Sequence, residues 1–191
     1  EWRQFWKNDW YGALEKGIAE IEYDISTGSI GEAKRVLSEL RGNYPGDKSN
    51  IYAGALINLA ENKYGESIKA LSGLLAEEPQ NENYLRLLAK AQEASANQAG
   101  ASSTYTKLLD INVPDPEILM LRAECYRKTG ETGKALEDVS KYLDLYPGNK
   151  KALSFAGKVE SASGDNIKAL AYFSEILKLH PNDAECYIER A

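Results

Sequence analysis

A step of 34 residues runs through this chain of 191, and no other feature limits its fold so strongly. Ala33, Ser67, Ala101, Ala135 and Ala169 lie on one ladder with that step. Ala55, Ala89, Ala123, Gly157 and Ala191 lie on a second, and Leu37, Leu71, Tyr105, Val139 and Phe173 make a third that stays bulky and apolar. Pro45, Pro79, Pro114, Pro147 and Pro181 follow at nearly the same interval, with a one-residue slip in the third unit. Fixed periods of this size mark stacked repeats, whose units bury their apolar faces only against one another.

The columns predict a helical hairpin as the unit. Small residues facing each other on two helices let the backbones approach, and the bulky column fills the space beside that contact. Between the two helices stand Thr27-Gly28, Glu61-Asn62, Ser95-Ala96, Thr129-Gly130 and Ser163-Gly164. Gly and Asn there suit a left-handed helix C-cap. The proline column, often followed by Gly, Asn or Asp, ends the second helix and caps the next.

These columns resemble the tetratricopeptide-repeat family, whose 34-residue unit carries small, small, bulky and proline positions in this order. The fourth unit, LRAECYRKTGETGKALEDVSKYLDLYPGN, matches best, with Ala123, Tyr126, Gly130, Ala135 and Pro147 in the family's phase. The resemblance covers roughly residues 14 to 191. It implies an all-α, right-handed α-solenoid of antiparallel helix pairs: units at 14–47, 48–81, 82–115, 116–149 and 150–183, and the start of a sixth at 184–191. Departures carry their own expectations. Ile21 stands where the family has a small residue, so the first two helices should sit wider apart or shift. Asp24, Asn58, Gln92 and Glu160 replace the tyrosine found at Tyr126, and SANQAGASS gives the third unit the weakest helix-ending signal.

Composition narrows the function. A net charge of −6 opposes non-specific grip on nucleic acid or anionic lipid, which needs a basic field. The longest nearly apolar run, Ile51 to Ala60, is about half a membrane span and is broken by Asn58. Cys125 and Cys186 lack metal or redox spacing and read as free thiols. No cofactor or metal is expected. GETGKA, Gly130 to Ala135, fails as a phosphate loop because Lys128 and Ala135 stand where a Gly and a hydroxyl are needed. His180, the single histidine, reads as a turn residue before Pro181. The compartment is left open between cytoplasmic and exported.

The ends pose separate questions. All three tryptophans, Trp2, Trp6 and Trp10, lie in EWRQFWKNDWYG with Phe5 and Tyr11. Asn8-Asp9 can cap a helix starting near Trp10, leaving Trp2, Phe5 and Trp6 as a separate apolar turn that folds back over the first helix. A second reading docks those aromatics into a groove of the same or another copy, giving self-association. At the other end AECYIERA stops half-way along a first helix, which predicts continuation beyond Ala191 and an open repeat face able to self-associate.

In the family the first helix of each unit lines the concave groove. By column the residues here include Ile18, Glu22, Ile25, Tyr52, Leu56 and Leu59, then Arg86, Lys90 and Glu93. Met120, Glu124, Arg127, Lys128, Lys151, Ser154 and Lys158 follow. Aliphatic and aromatic groups thus give way to cations. Such a surface suits a protein segment with an apolar portion followed by acidic residues, or a free C-terminal carboxylate. The competing reading packs the apolar groups between helices and pairs the cations with Glu93 and Glu124. Leu121 and Phe155 stand where the family's carboxylate clamp has Asn and a basic residue. The expected function is a non-enzymatic scaffold that holds a partner protein, without nucleic acid or membrane insertion. The alternative is a structural repeat domain of a larger, exported or envelope-associated protein whose activity lies elsewhere.

Overall fold

Small residues every 34 positions bring helices together in pairs, and the computed structural model realises that pattern in residues 2–111 and 115–190, with side chains described for 12–111 and 115–190. The order is α1 Trp2–Ser26, α2 Ile30–Asn43, α3 Lys48–Ala60, α4 Tyr64–Glu77, α5 Glu82–Ala94 and α6 Gln98–Asp110. It continues with α7 Glu117–Lys128, α8 Thr132–Leu145, α9 Lys150–Ser163, α10 Asn166–Leu179 and α11 Ala184–Arg190. The described residues hold no strand, and no helix among them is long and apolar enough to cross a membrane. The fold is all-α; α2 to α10 are 12–14 residues each, α1 is longer at 25 and α11 has 7.

The chain divides into two compact units, Glu1–Ala96 and Asn97–Ala191. In the first, Leu14, Ile21, Val36, Leu37 and Leu40 build a core between α1 and α2 that Ala53 and Ile57 of α3 close. Leu71 and Leu74 of α4 meet Ala55 of α3 and Leu87 and Leu88 of α5 in the next cluster. In the second unit Ala123, Ala135, Val139, Tyr142, Ala152 and Ala156 form one core, and Leu153, Phe173, Ile176, Leu177 and Cys186 another. Each fully buried Leu or Phe contributes about 2 kcal/mol by leaving water. The ladders do the work expected of them: Ala33, Ala101 and Ala135 are fully buried, as are Ala55, Ala89 and Ala123. Ser67 replaces alanine with its buried hydroxyl satisfied, donating to the Ala55 carbonyl at 2.9 Å.

The turns follow the residue chemistry. Gly28, Gly130 and Gly164 adopt φ of 80°, 79° and 90°, and Asn62 follows at 61°. Ala96 takes the same left-handed conformation at 61°, so the third unit turns like its neighbours despite its weak signal. Past the prolines, Asp47, Asn81, Asn149 and Asp183 accept backbone N–H bonds from Ser49, Tyr84, Ala152 and Cys186, starting α3, α5, α9 and α11. Asp115 does the same for Glu117 at α7.

Two expectations change. The first helix begins at Trp2 rather than near Trp10, so Asn8 and Asp9 lie inside one continuous α1 and do not cap it. Helix continuation through both residues removes the corner on which a separate aromatic turn would fold back. The side chains of Trp2, Phe5, Trp6 and Trp10 lie outside the described residues. In the first pair Ile21 is accommodated and fully buried. Close approach falls one turn earlier, at Gly17, where a Cβ would stand 2.8 Å from Leu40 Cδ2.

Cys125 and Cys186 are both buried and in no disulfide. The Cys186 thiol donates to the Phe173 carbonyl at 3.2 Å.

Candidate partner-binding surface

Every residue assigned to the groove lies on a first helix: α1, α3 and α5 in the first unit, α7 and α9 in the second. The helical period sets these positions beside the ladder rather than opposite it: Tyr52, Leu56 and Leu59 stand three before, one after and four after Ala55 and flank its buried contact.

In the first unit Ile18 is half-buried and packs on the α1–α2 core. Tyr52, Leu56 and Leu59 are half-buried against the α3–α4–α5 cluster, so part of each is spent on packing and part stays open. The Tyr52 ring lies 5.5 Å from that of Tyr84, tilted by 39°, an aromatic pair joining α3 to α5. Burial, and after it the charge of Glu22, pushes the Tyr52 hydroxyl up to about 12. Beside this pair a cleft of about 380 Å³ opens, walled by Leu14, Glu15 and Ile18 of α1 and by Lys48, Glu78, Asn81 and Tyr84. Lys48 bridges Glu77 at 2.9 Å and Glu78 at 2.8 Å across its rim. Hydrogen bonds to Glu78 and Glu77 raise the Lys48 ammonium well above its ordinary value, although the group stays in water.

The cations separate into paired and open groups. Arg86 is bound to Glu82 at 2.7 Å along α5. Arg127 holds Glu124 with two hydrogen bonds of 2.8 and 2.6 Å, and Lys128 adds a longer contact of 3.7 Å. The Arg127 guanidinium depresses the Glu124 carboxyl against the opposing effect of burial. Lys158 reaches Glu189 of α11 at 3.0 Å. Lys90 and Lys151 are exposed and have no ion-pair partner among the described residues. Met120 is half-buried on the α7–α9 core. The pairing expected between cations and Glu124 is present. Exposed pairs of this kind add less than about 1 kcal/mol and break readily for a better ligand.

One charged site escaped sequence reasoning. Arg122 on α7 binds Asp138 on α8 through two hydrogen bonds and Thr106 on α6 through a third at 3.0 Å. The two charges stand 16 positions apart, the same offset that joins Ala123 to Val139, which is the signal that could have paired them.

The family profile described as Tetratricopeptide repeat matches residues 58–125. That match covers less than half of the chain, and the buried 34-residue ladders carry the same pattern through the repeats on either side. The fold is that of tetratricopeptide-repeat proteins. Solved tetratricopeptide-repeat structures share its fold at low identity. A protein from Parabacteroides merdae is 19% identical with a TM-score of 0.75, covering 94% of this chain and 71% of that one. MamA from Desulfovibrio magneticus is 16% identical with a TM-score of 0.74, covering 90% and 97%. YrrB, a tetratricopeptide-repeat protein with an unusual peptide-binding site, is 15% identical with a TM-score of 0.72, covering 94% and 96%. No curated protein matches the sequence.

Proposed function

We propose that this protein is a non-enzymatic scaffold whose first-helix faces hold a segment of a partner protein. The observation carrying this reading is the coexistence of half-open apolar groups and unpaired ammonium groups on those faces. Tyr52, Leu56 and Leu59 neighbour Lys90 by column in the first unit, and Met120 with Lys151 repeats the combination in the second. Half-open aromatics supply anchors at small entropic cost, and ammonium groups without a partner are ready to receive carboxylates. The peptide-binding site of YrrB, on the same fold, supports the reading by analogy. The partner segment then combines an apolar portion with acidic residues or a free C-terminal carboxylate.

Selection from a random-peptide library on the immobilised protein tests this. Enriched peptides should carry the apolar and acidic combination. Arg86→Ala with Lys90→Ala should weaken them and flatten the salt dependence of binding, because screened charge pairs are lost. Unchanged affinity and salt slope in that variant would sink the assignment of these residues. A library that enriches nothing would sink the scaffold reading itself.

A further inference from the structure

The three first helices of the first unit do not present equivalent faces. Glu22, Leu56 and Lys90 occupy one column on α1, α3 and α5, at steps of 34 residues. The same position therefore carries a carboxylate, then an aliphatic group, then an ammonium. Glu15, one wall of the cleft, stands two turns before Glu22 on α1. Glu15, Glu22 and Lys90 are all exposed, and none has an ion-pair partner among the described residues. On α3, the helix between the two in the column, stand half-buried Leu56 and Tyr52, whose ring meets Tyr84 of α5.

We propose that this face binds a bipolar protein segment, with a basic side chain over Glu15 and Glu22 of α1, an apolar residue at Tyr52 and Leu56, and an acidic side chain at Lys90 of α5. It rests on the first-helix face of this unit being a partner-binding surface, and adds a requirement for positive charge that the cations alone did not suggest. Charge complementarity selects the occupant. A wholly acidic segment would meet two uncompensated carboxylates at α1, and like charges brought together at an interface are strongly disfavoured. A Lys or Arg instead lays its aliphatic stem along Leu14 and Ile18 while its head stays at the carboxylates and in water. Burial is the main cause of the raised Tyr52 pKa, and the charge of Glu22 adds to it, so Glu22 is near enough to act on the aromatic pair.

Geometry sets the spacing. Packed helix axes lie about 8–10 Å apart, so α1 to α5 spans roughly 20 Å. An extended chain covers that in about six residues at ~3.3 Å each. The basic and acidic side chains should therefore lie about six positions apart.

Blocked nonapeptides with one Arg and one Glu six positions apart around a leucine-containing middle, made in both orders, test the assignment by calorimetry with the whole chain. One order should bind, and Glu22→Lys or Lys90→Glu should each weaken it about tenfold. Replacing the peptide's Arg by Glu should restore binding to the Glu22→Lys variant. Circular dichroism of both variants should be unchanged, since both positions are exposed. Failure of both orders to bind, equal affinity for a charge-free peptide, or indifference to Glu22→Lys would overturn the bipolar assignment. A library consensus of different composition that Tyr52→Ala abolishes would overturn it too, yet leave the scaffold reading standing.

Discussion

Arg122 holds Asp138 in a fork of two hydrogen bonds, Nε to Oδ2 at 2.8 Å and Nη2 to Oδ1 at 2.7 Å. The side chains are 13% and 2% exposed. A pair so placed is costly to break from one side and costs little to replace whole. Arg122→Met should destabilise the protein by about 3 kcal/mol in urea denaturation, because the carboxylate it abandons cannot reach water. Asp138→Ala should cost less, since the guanidinium is the more exposed partner and keeps Thr106. The double change Arg122→Met with Asp138→Leu should recover most of the loss. Equal losses in all three variants would refute this account.

Gly157 is the point where the small-residue ladder has no room for alanine. A Cβ there would stand 2.7 Å from Cζ of Phe173, a ring 2% exposed among Leu153, Ile176 and Cys186. Alanine gains about 1 kcal/mol of helix propensity, but overpacking costs about 1–3 kcal/mol. Gly157→Ala should lower the melting temperature. In a Phe173→Leu background the same change should raise it, and a matching sign in both backgrounds would exclude the steric explanation.

The ladders were legible because packing demands one residue size at one place in every hairpin, and repetition multiplied that signal. Ala55 facing Leu71 and Ala123 facing Val139 follow from spacing alone. Arg122 and Asp138 were hidden because charged helix residues usually face water, and only the 16-residue offset tells this pair apart. The first helices could be named from column, but which cations stay open depends on rotamers. Arg127 and Lys128 both turn to Glu124, whereas Lys151 has no such neighbour along α9. At the amino end capping chemistry misled: Asn8-Asp9 looks like a helix start, yet α1 runs through it.

Two tyrosines should titrate late. Tyr142 donates its hydroxyl proton to Glu117 at 2.6 Å, and that hydrogen bond, reinforced by burial, pushes its pKa up to about 12. Burial and Glu22 push Tyr52 up to about 12 as well. Free tyrosine ionises near about 10, so above that pH the unfolded chain loses protons that the folded chain still holds. The associated stability is complete below about pH 10 and disappears as pH rises toward about 12. Absorbance near 295 nm should show a late tyrosinate phase that Tyr142→Phe and Tyr52→Phe each diminish. An unaltered phase in either variant would contradict the assignment for that residue.

Ala96 carries strain that its glycine counterparts avoid. Its φ of 61° lies in the left-handed region, where Gly28, Gly130 and Gly164 end the corresponding first helices. A Cβ in that conformation crowds the following carbonyl at a cost of roughly 1–2 kcal/mol, which glycine escapes. Glycine also makes the unfolded chain more flexible, which offsets part of the gain. Ala96→Gly should still stabilise the protein by about 0.5–1 kcal/mol, a rise of a few degrees in a domain of this size. Ala94→Gly, at the last residue of α5, should destabilise by a smaller amount through lost helix propensity. Melting curves of the two variants therefore move in opposite directions if the turn is strained at Ala96, and in the same direction if it is not.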